Sequence, residues 1–300
     1  MSNYIDTTAD AAIIPEIWGN LALGHLPQYL NLGRTVARDS DLANFQVGDT
    51  IHVSKRGALS ANSMSQNGAV TVQKPSRTDI PVVLDGHWEV TFGELDIARA
   101  LSRGVSEAEY SEDAVMVLAE KIEDSLASLH TGVTNTITET ATVENDILAI
   151  RERMVDNKVP KLAQKFGFVT PSVMTSLLKI ARATESDKTG RPNPAFDQYA
   201  SLFFHGFNFF ESQIVKSTGS PVAYHNLFYT KNAMVLAMRA LPLPEAGTGG
   251  TGTILRDANG FVLRVVKSWN PTNLANQITT DVLFGTSILD DRLVVEYETV

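Results

Sequence analysis

Residues 105–131 run for twenty-seven positions without a glycine or proline. Within them Val115, Leu118, Ile122, Leu126 and Leu129 recur at steps of three and four, so they share one face of an α-helix. At 1.5 Å per residue such a rod is roughly 40 Å long. Whatever the chain folds into must offer that stripe a partner surface of matching length. Ser106 followed by Glu109 fits an N-terminal capping box, and Gly132 fits a stop. The other faces carry Glu107, Glu109, Glu112, Asp113, Glu120, Glu123 and Asp124 against Lys121 alone. A solvated helix face accounts for such a run. So does a surface made to dock on something basic.

Before this rod the pattern is β. Ile51 and Val53 alternate with His52 and Ser54; Val70 and Val72 with Thr71 and Gln73; Trp88, Val90 and Phe92 with Glu89 and Thr91. Period two gives each stretch one buried face. Between the first two lies GALSANSMSQNG (57–68), small, polar and rich in turn formers. The spacing predicts a long two-stranded hairpin. A free hairpin is marginal in water, so this one is expected to lean on a partner surface. Residues 54–79 carry Lys55, Arg56, Lys74 and Arg77 against Asp79. Residues 1–50 show no clear period, only small apolar groups (Ile13, Ile14, Ile17, Trp18) between glycines and prolines. Such a segment buries its side chains by lying across another surface.

After the rod the chain alternates. Helices are expected from Glu144 to about Asn157, from Thr170–Pro171 to about Arg182, and from Thr230 through Met238. Strands are expected at Phe166–Val169, Phe207–Val215 and Leu227–Tyr229. TESDKTGRPNP (184–194) reads as an exposed loop, AGTGGTG (246–252) as a linker, and FFHGFNFF (203–210) as core. The Asn259-Gly260 pair marks a hairpin turn. Strands follow at Val262–Trp269, at Thr279–Phe284 with a break at Gly285, and at Leu293–Tyr297. The class is α+β.

Composition narrows the function. Of 300 residues, 43% are hydrophobic, enough for a substantial core and one large or two ordinary domains. Lys and Arg number 25 against 34 Asp and Glu, and the net charge of −9 argues against a dedicated nucleic-acid binder. No apolar run is long enough to span a membrane. The first basic residue is Arg34, so no secretory n-region precedes it. With zero cysteines, disulfides and thiol chemistry are excluded, and the reading is a soluble intracellular protein. GTGGTG (247–252) matches a dinucleotide fingerprint only in letters, because a strand-like TILRD follows where a helix is needed. No P-loop, H-E-x-x-H, EF-hand or G-x-S-x-G occurs. The six histidines lie far apart with no i, i+4 pair for a metal, and His130 reads as a partner for a helix C-terminus. No catalytic residue, cofactor site or metal site is expected, so the chain reads as no enzyme.

The order of parts carries more. Ile14-Pro15-Glu16-Ile17-Trp18, Val47-Gly48-Asp49-Thr50-Ile51-His52-Val53, the stretch Phe228 to Ala237, Asp281-Val282-Leu283-Phe284-Gly285, and Asp290 to Val295 follow one another around the long helix. In that order they resemble the major capsid protein of tailed bacteriophages, with the Hong Kong 97-like fold. The resemblance implies an extended N-arm (1–50), an E-loop hairpin (51–92), a peripheral domain (93–142 plus 255–300) holding the spine helix 105–131, and an axial domain (143–254). It implies self-assembly as pentamers and hexamers into an icosahedral virion shell around double-stranded DNA, put together in the host cytoplasm. Weak, non-specific DNA contact, a portal and decoration proteins go with that. Some relatives carry a scaffolding segment before the arm; here the arm begins at Met1, so a separate scaffolding protein is implied. Contacts between copies are then expected from Ile13, Ile17 and Trp18, and from Lys55, Arg56, Lys74 and Arg77 against Glu107, Glu109, Glu112, Asp113, Glu120, Glu123 and Asp124 of a neighbour. An encapsulin-type protein nanocompartment shares these features. A soluble α/β enzyme is the alternative of a different class.

Overall fold

The computed structural model describes residues 30–38, 50–57, 59–64, 66, 68–95, 107–140, 142–180, 202–245, 250–256, 261–272 and 274–300. The long helix stands where its stripe puts it, at Glu107–Ser128, and a 3-10 turn at Leu129–Gly132 ends it. Val115, Leu118, Ile122 and Leu126 are fully buried and Leu129 partly so. Burying side chains of this size is worth about 1.5–3 kcal/mol each. Ser106, the expected cap, lies outside the described residues. Shorter helices occur at Leu32–Thr35, Val143–Asp156 and Pro171–Leu178.

Fifteen strands occur among the described residues. In chain order they are β1 (Ala37–Arg38), β2 (Thr50–Arg56), β3 (Arg77–Val83), β4 (Gly86–Leu95), β5 (Thr136–Thr138), β6 (Lys165–Val169), β7 (Leu202–Phe204) and β8 (Phe207–Glu211). Then come β9 (Ser217–Thr218), β10 (Ala223–Thr230), β11 (Met234–Arg239), β12 (Gly250–Arg256), β13 (Val262–Asn270), β14 (Ala275–Ile288) and β15 (Val294–Thr299). A six-stranded sheet has the order β1-β11-β14-β13-β12, with β4 on the other side of β14. A seven-stranded sheet runs β5-β15-β10-β6-β8-β7, with β9 beside β10. Among the described residues, β2 and β3 pair only with each other.

The long helix packs on the six-stranded sheet, through Phe284 and Val282 of β14 and Leu236 and Met238 of β11. Leu30, Leu32 and Val36 close the same core from the N-terminal side. The helices Val143–Asp156 and Pro171–Leu178 cover the seven-stranded sheet, where Phe207, Phe209, Phe228 and Tyr297 meet edge to face or tilted. FFHGFNFF is thus largely core: Phe204, Phe207 and Phe209 are buried, and the turn between β7 and β8 uses the left-handed backbone of His205 and Gly206. Neither sheet matches one interval of sequence. β11 comes from the middle of the chain yet pairs with β14, and β15 from its end pairs with β10.

Three expectations are corrected. Met234–Arg239 is a strand, not a helix; only Lys231–Ala233 turns, as 3-10. All residues from Met234 to Met238 are buried, and an apolar run buried on both faces has no period to distinguish strand from helix. The hairpin partner of β2 is 77–83, not 70–73, and β4 belongs to the larger sheet. Gly285 does not break a strand, because β14 runs through it. Its missing side chain makes room: a Cβ there would run into the Val83 carbonyl oxygen, where the hairpin's exit crosses the sheet. The expected loop at 184–194 and the Asn259-Gly260 turn lie outside the described residues, though β12 and β13 pair as that turn requires.

Gly285→Ala is therefore expected to destabilise the chain by about 1–3 kcal/mol, as overpacking does. Urea unfolding of the two proteins measures the difference; equal midpoints would mean that the crossing is loose.

Candidate assembly surfaces

The hairpin is anchored at one end and bare at the other. At its base Ile51 and Val82 are buried against Val235 and Ala237 of β11. Lys55 meets Asp290 of the same chain at 2.8 Å. Burial raises the Asp290 pKa, but hydrogen bonds from Arg292 and Lys55 outweigh it and hold the carboxyl at about 2. Strand pairing stops at Arg56↔Arg77, and Gly57 N–H donates to the Ser76 carbonyl at 2.8 Å. Beyond this the two sides have no regular structure, and Ser60 and Gln73 tie them by side-chain hydrogen bonds. Val70 and Val72, expected on a buried strand face, are 74% and 88% exposed, and Leu59 and Met64 are 68% and 65% exposed. Four large apolar side chains thus stand on one limb with no cover from the described residues of their own chain. Lys74 and Arg77 are exposed on the same limb, and the side chain of Arg56 lies outside the described ones.

The acidic residues of the long helix do not act as one face. Asp113 and Glu120 are exposed, and Asp124 pairs with Lys216. The side chains of Glu107, Glu109 and Glu112 lie outside the described ones. Glu123 is a correction: it is 1% exposed and faces its own chain. Its Oε2 accepts from the Leu32 N–H at 3.0 Å and its Oε1 from the Gly33 N–H at 2.9 Å. It therefore ties the segment 30–38 to the long helix and is not available to a neighbour. Burial raises its pKa to about 7, against the lowering pull of those backbone donors. Glu123 lies four residues after the buried Ala119 and three before the buried Leu126, so helical spacing already places it beside the stripe. Ile13, Ile17 and Trp18 lie outside the described residues.

Two histidines far apart in sequence meet at the end of this helix. His130 and His225 stack with ring centroids 4.1 Å apart and planes 13° from parallel. Their Nδ1 atoms approach Glu296 Oε1, at 3.3 Å and 2.6 Å, while Thr136 donates to Oε2. Burial, and next to it His225, lower the His130 pKa. The three candidate ligand atoms lie within 4.8 Å of one another. A metal held by an imidazole lies in the ring plane at about 2 Å, however, and two stacked, nearly parallel planes share no such point. The arrangement is a hydrogen-bonded clasp joining the helix end, β10 and β15. No motif announces it, since the sheet alone brings residues 130, 225 and 296 together.

The Glu123 contact has a definite sign with pH. A carboxyl whose pKa is higher in the folded than in the unfolded chain adds stability below the unfolded value, and that stability is lost as pH rises through the folded value. Wild type is expected to lose up to about 3 kcal/mol relative to Glu123→Gln as pH rises from about 4.5 to 7. Unfolding free energies of both proteins across that range test this; a constant difference would contradict it.

No protein-family model matches the chain, and no curated protein does. Solved structures do. A chain from Mycobacterium phage Che8 superimposes with a TM-score of 0.60 at 15% identity, covering 91% of this chain and 90% of that one. The capsid structure of cyanophage P-SCSP1u gives 0.62 at 12% identity, over 89% and 86% of the two chains. A virus-like particle from Pyrococcus furiosus gives 0.54 at 11% identity, over 93% and 96%. Likeness of this extent shows that the chain has, over about nine-tenths of its length, the Hong Kong 97-like fold of tailed-phage capsids.

Proposed function

We propose that this chain is the major capsid protein of a tailed bacteriophage, building by self-assembly the icosahedral shell around double-stranded DNA. The observation that carries the reading is the bare limb: Leu59, Met64, Val70 and Val72 leave a body whose own cores are filled. Apolar surface of this kind is completed by a partner, and the fold is one whose solved examples include phage capsids. The role is structural, not catalytic. On this reading 1–50 is the N-arm, 51–92 holds the E-loop, and the peripheral domain (93–142 with 255–300) and axial domain (143–254) exchange strands, β11 joining the sheet of the first and β15 that of the second. Pentamers and hexamers of the chain, a scaffolding protein, a portal and decoration proteins are the partners, assembled in the host cytoplasm.

The limb's charges set register. Lys74 and Arg77 steer it onto acidic residues of the adjacent copy, among them Asp113 and Glu120. Exposed pairs are worth about 0–1 kcal/mol each, so they guide docking while apolar burial holds it. Lys55 and Glu123 leave the set of copy-to-copy contacts, because each is engaged within its own chain.

Electron microscopy of the purified protein, expressed with its scaffold, is expected to find closed icosahedral particles; monomers or small oligomers would overturn the reading. The second reading is an encapsulin-type nanocompartment, and the similar Pyrococcus furiosus chain builds a virus-like particle. Nucleic acid inside particles from infected cells favours the phage shell, and protein cargo the compartment. Lys74→Glu with Arg77→Glu is expected to slow assembly several-fold in light scattering; normal rate and yield would remove the steering role.

A further inference from the structure

One end of the seven-stranded sheet gathers cations. β6 starts at Lys165, which pairs in register with Phe207 at the start of β8 and with Thr230 at the end of β10. The segment before β6, the turn before β8 and the residue after β10 therefore emerge together. Two depressions that share Gln164 open at this end, of about 340 Å³ and 630 Å³. Arg34 and Lys231 line the first; Arg151, Lys161 and Lys165 line the second. Among the described residues, no carboxylate lines either.

Several acids at this end are engaged elsewhere. β15 begins at this same end, opposite Tyr229, and Asp290 just before it holds Lys55 and Arg292. The Asp291 carboxylate accepts from Thr134, and Glu144 faces His205. Among the described residues, Arg34, Arg151, Lys161 and Lys165 have no acidic partner. In a chain of net charge −9, that is a local reversal of sign along a groove.

The cations are spread over two open depressions and do not converge on one point. This suits a long polyanion with charge repeated along it, not a single small anion. Asn31, Thr35, Gln164, His205 and Asn208 line the same depressions and can donate to phosphate oxygens, contacts that position a backbone without reading its sequence. We propose that this groove holds the phosphodiester backbone of nucleic acid without sequence preference, and marks the face of the subunit turned toward the enclosed DNA. The proposal rests on the capsid reading for its partner, but binding by the dispersed chain can be measured apart from it.

The test is fluorescence anisotropy of a labelled random-sequence duplex with dispersed full-length chain, across a salt series. Arg151→Ala with Lys161→Ala and Lys165→Ala is the first variant, and Arg34→Ala the second. Wild type is expected to bind at low salt, with log K falling linearly against log salt. Each cation removed is expected to reduce that slope by roughly 0.9 and the triple variant to bind about tenfold or more weakly. Thermal unfolding confirms that the variants are folded. Unchanged affinity and slope in both variants would overturn the proposal. So would binding of polyglutamate in preference to the duplex, which would assign the groove to an acidic protein segment. Microscopy of wild-type particles reads the capsid function separately: absent particles with intact duplex binding would sink that reading and leave the groove.

Discussion

The fold depends on the match between one long apolar stripe and one long strand. Val115, Leu118, Ile122 and Leu126 need a partner surface several turns long, and β14 with its neighbours β4, β11 and β13 supplies it. β14 is hydrogen-bonded on both sides over most of its fourteen residues. Once helix and strand are fixed, the remaining parts have few choices. The hairpin must cross β14 where Gly285 leaves room, and it must leave the body on the far side of that crossing. The second sheet joins through β15, which follows β14 after one short turn. A body organised this way can fill its own cores and still present a limb that it cannot cover.

Charge is distributed to the same end. The acidic long helix is not a uniform surface: Glu123 is spent inside the molecule on backbone donors, and Asp124 on Lys216. What remains outward, with Asp113 and Glu120 as examples, is available to a neighbour. The hairpin divides similarly, with Lys55 holding its base to Asp290 and Lys74 and Arg77 left for its tip. In each element the charge nearest the core fixes the chain to itself. On the proposed reading, the charge farther out works between copies.

Much of this was legible in the sequence, for definite reasons. The long helix announced itself by period, Val143–Asp156 by its apolar spacing, and β6 with the following helix by Thr170–Pro171. The order of parts pointed to the fold that the solved phage capsids share. What period could not carry was strand or helix at Met234–Met238, where both faces are buried. It misassigned Val70 and Val72, since alternation promises a buried face only if something covers it. Gly285 looked like punctuation because a missing side chain signals a close approach as readily as a break. The backbone partners of Glu123 at Leu32 and Gly33 and the clasp of His130, His225 and Glu296 are products of topology, which residue spacing does not encode.

The central claim is that this chain completes its apolar burial only against copies of itself. Backbone hydrogen exchange across residues 59–76 tests that claim most directly, compared between the dispersed chain and assembled material. The account predicts rapid exchange in the dispersed chain and strong protection once copies surround the limb. Protection already present in the dispersed chain, or none in either state, would contradict it.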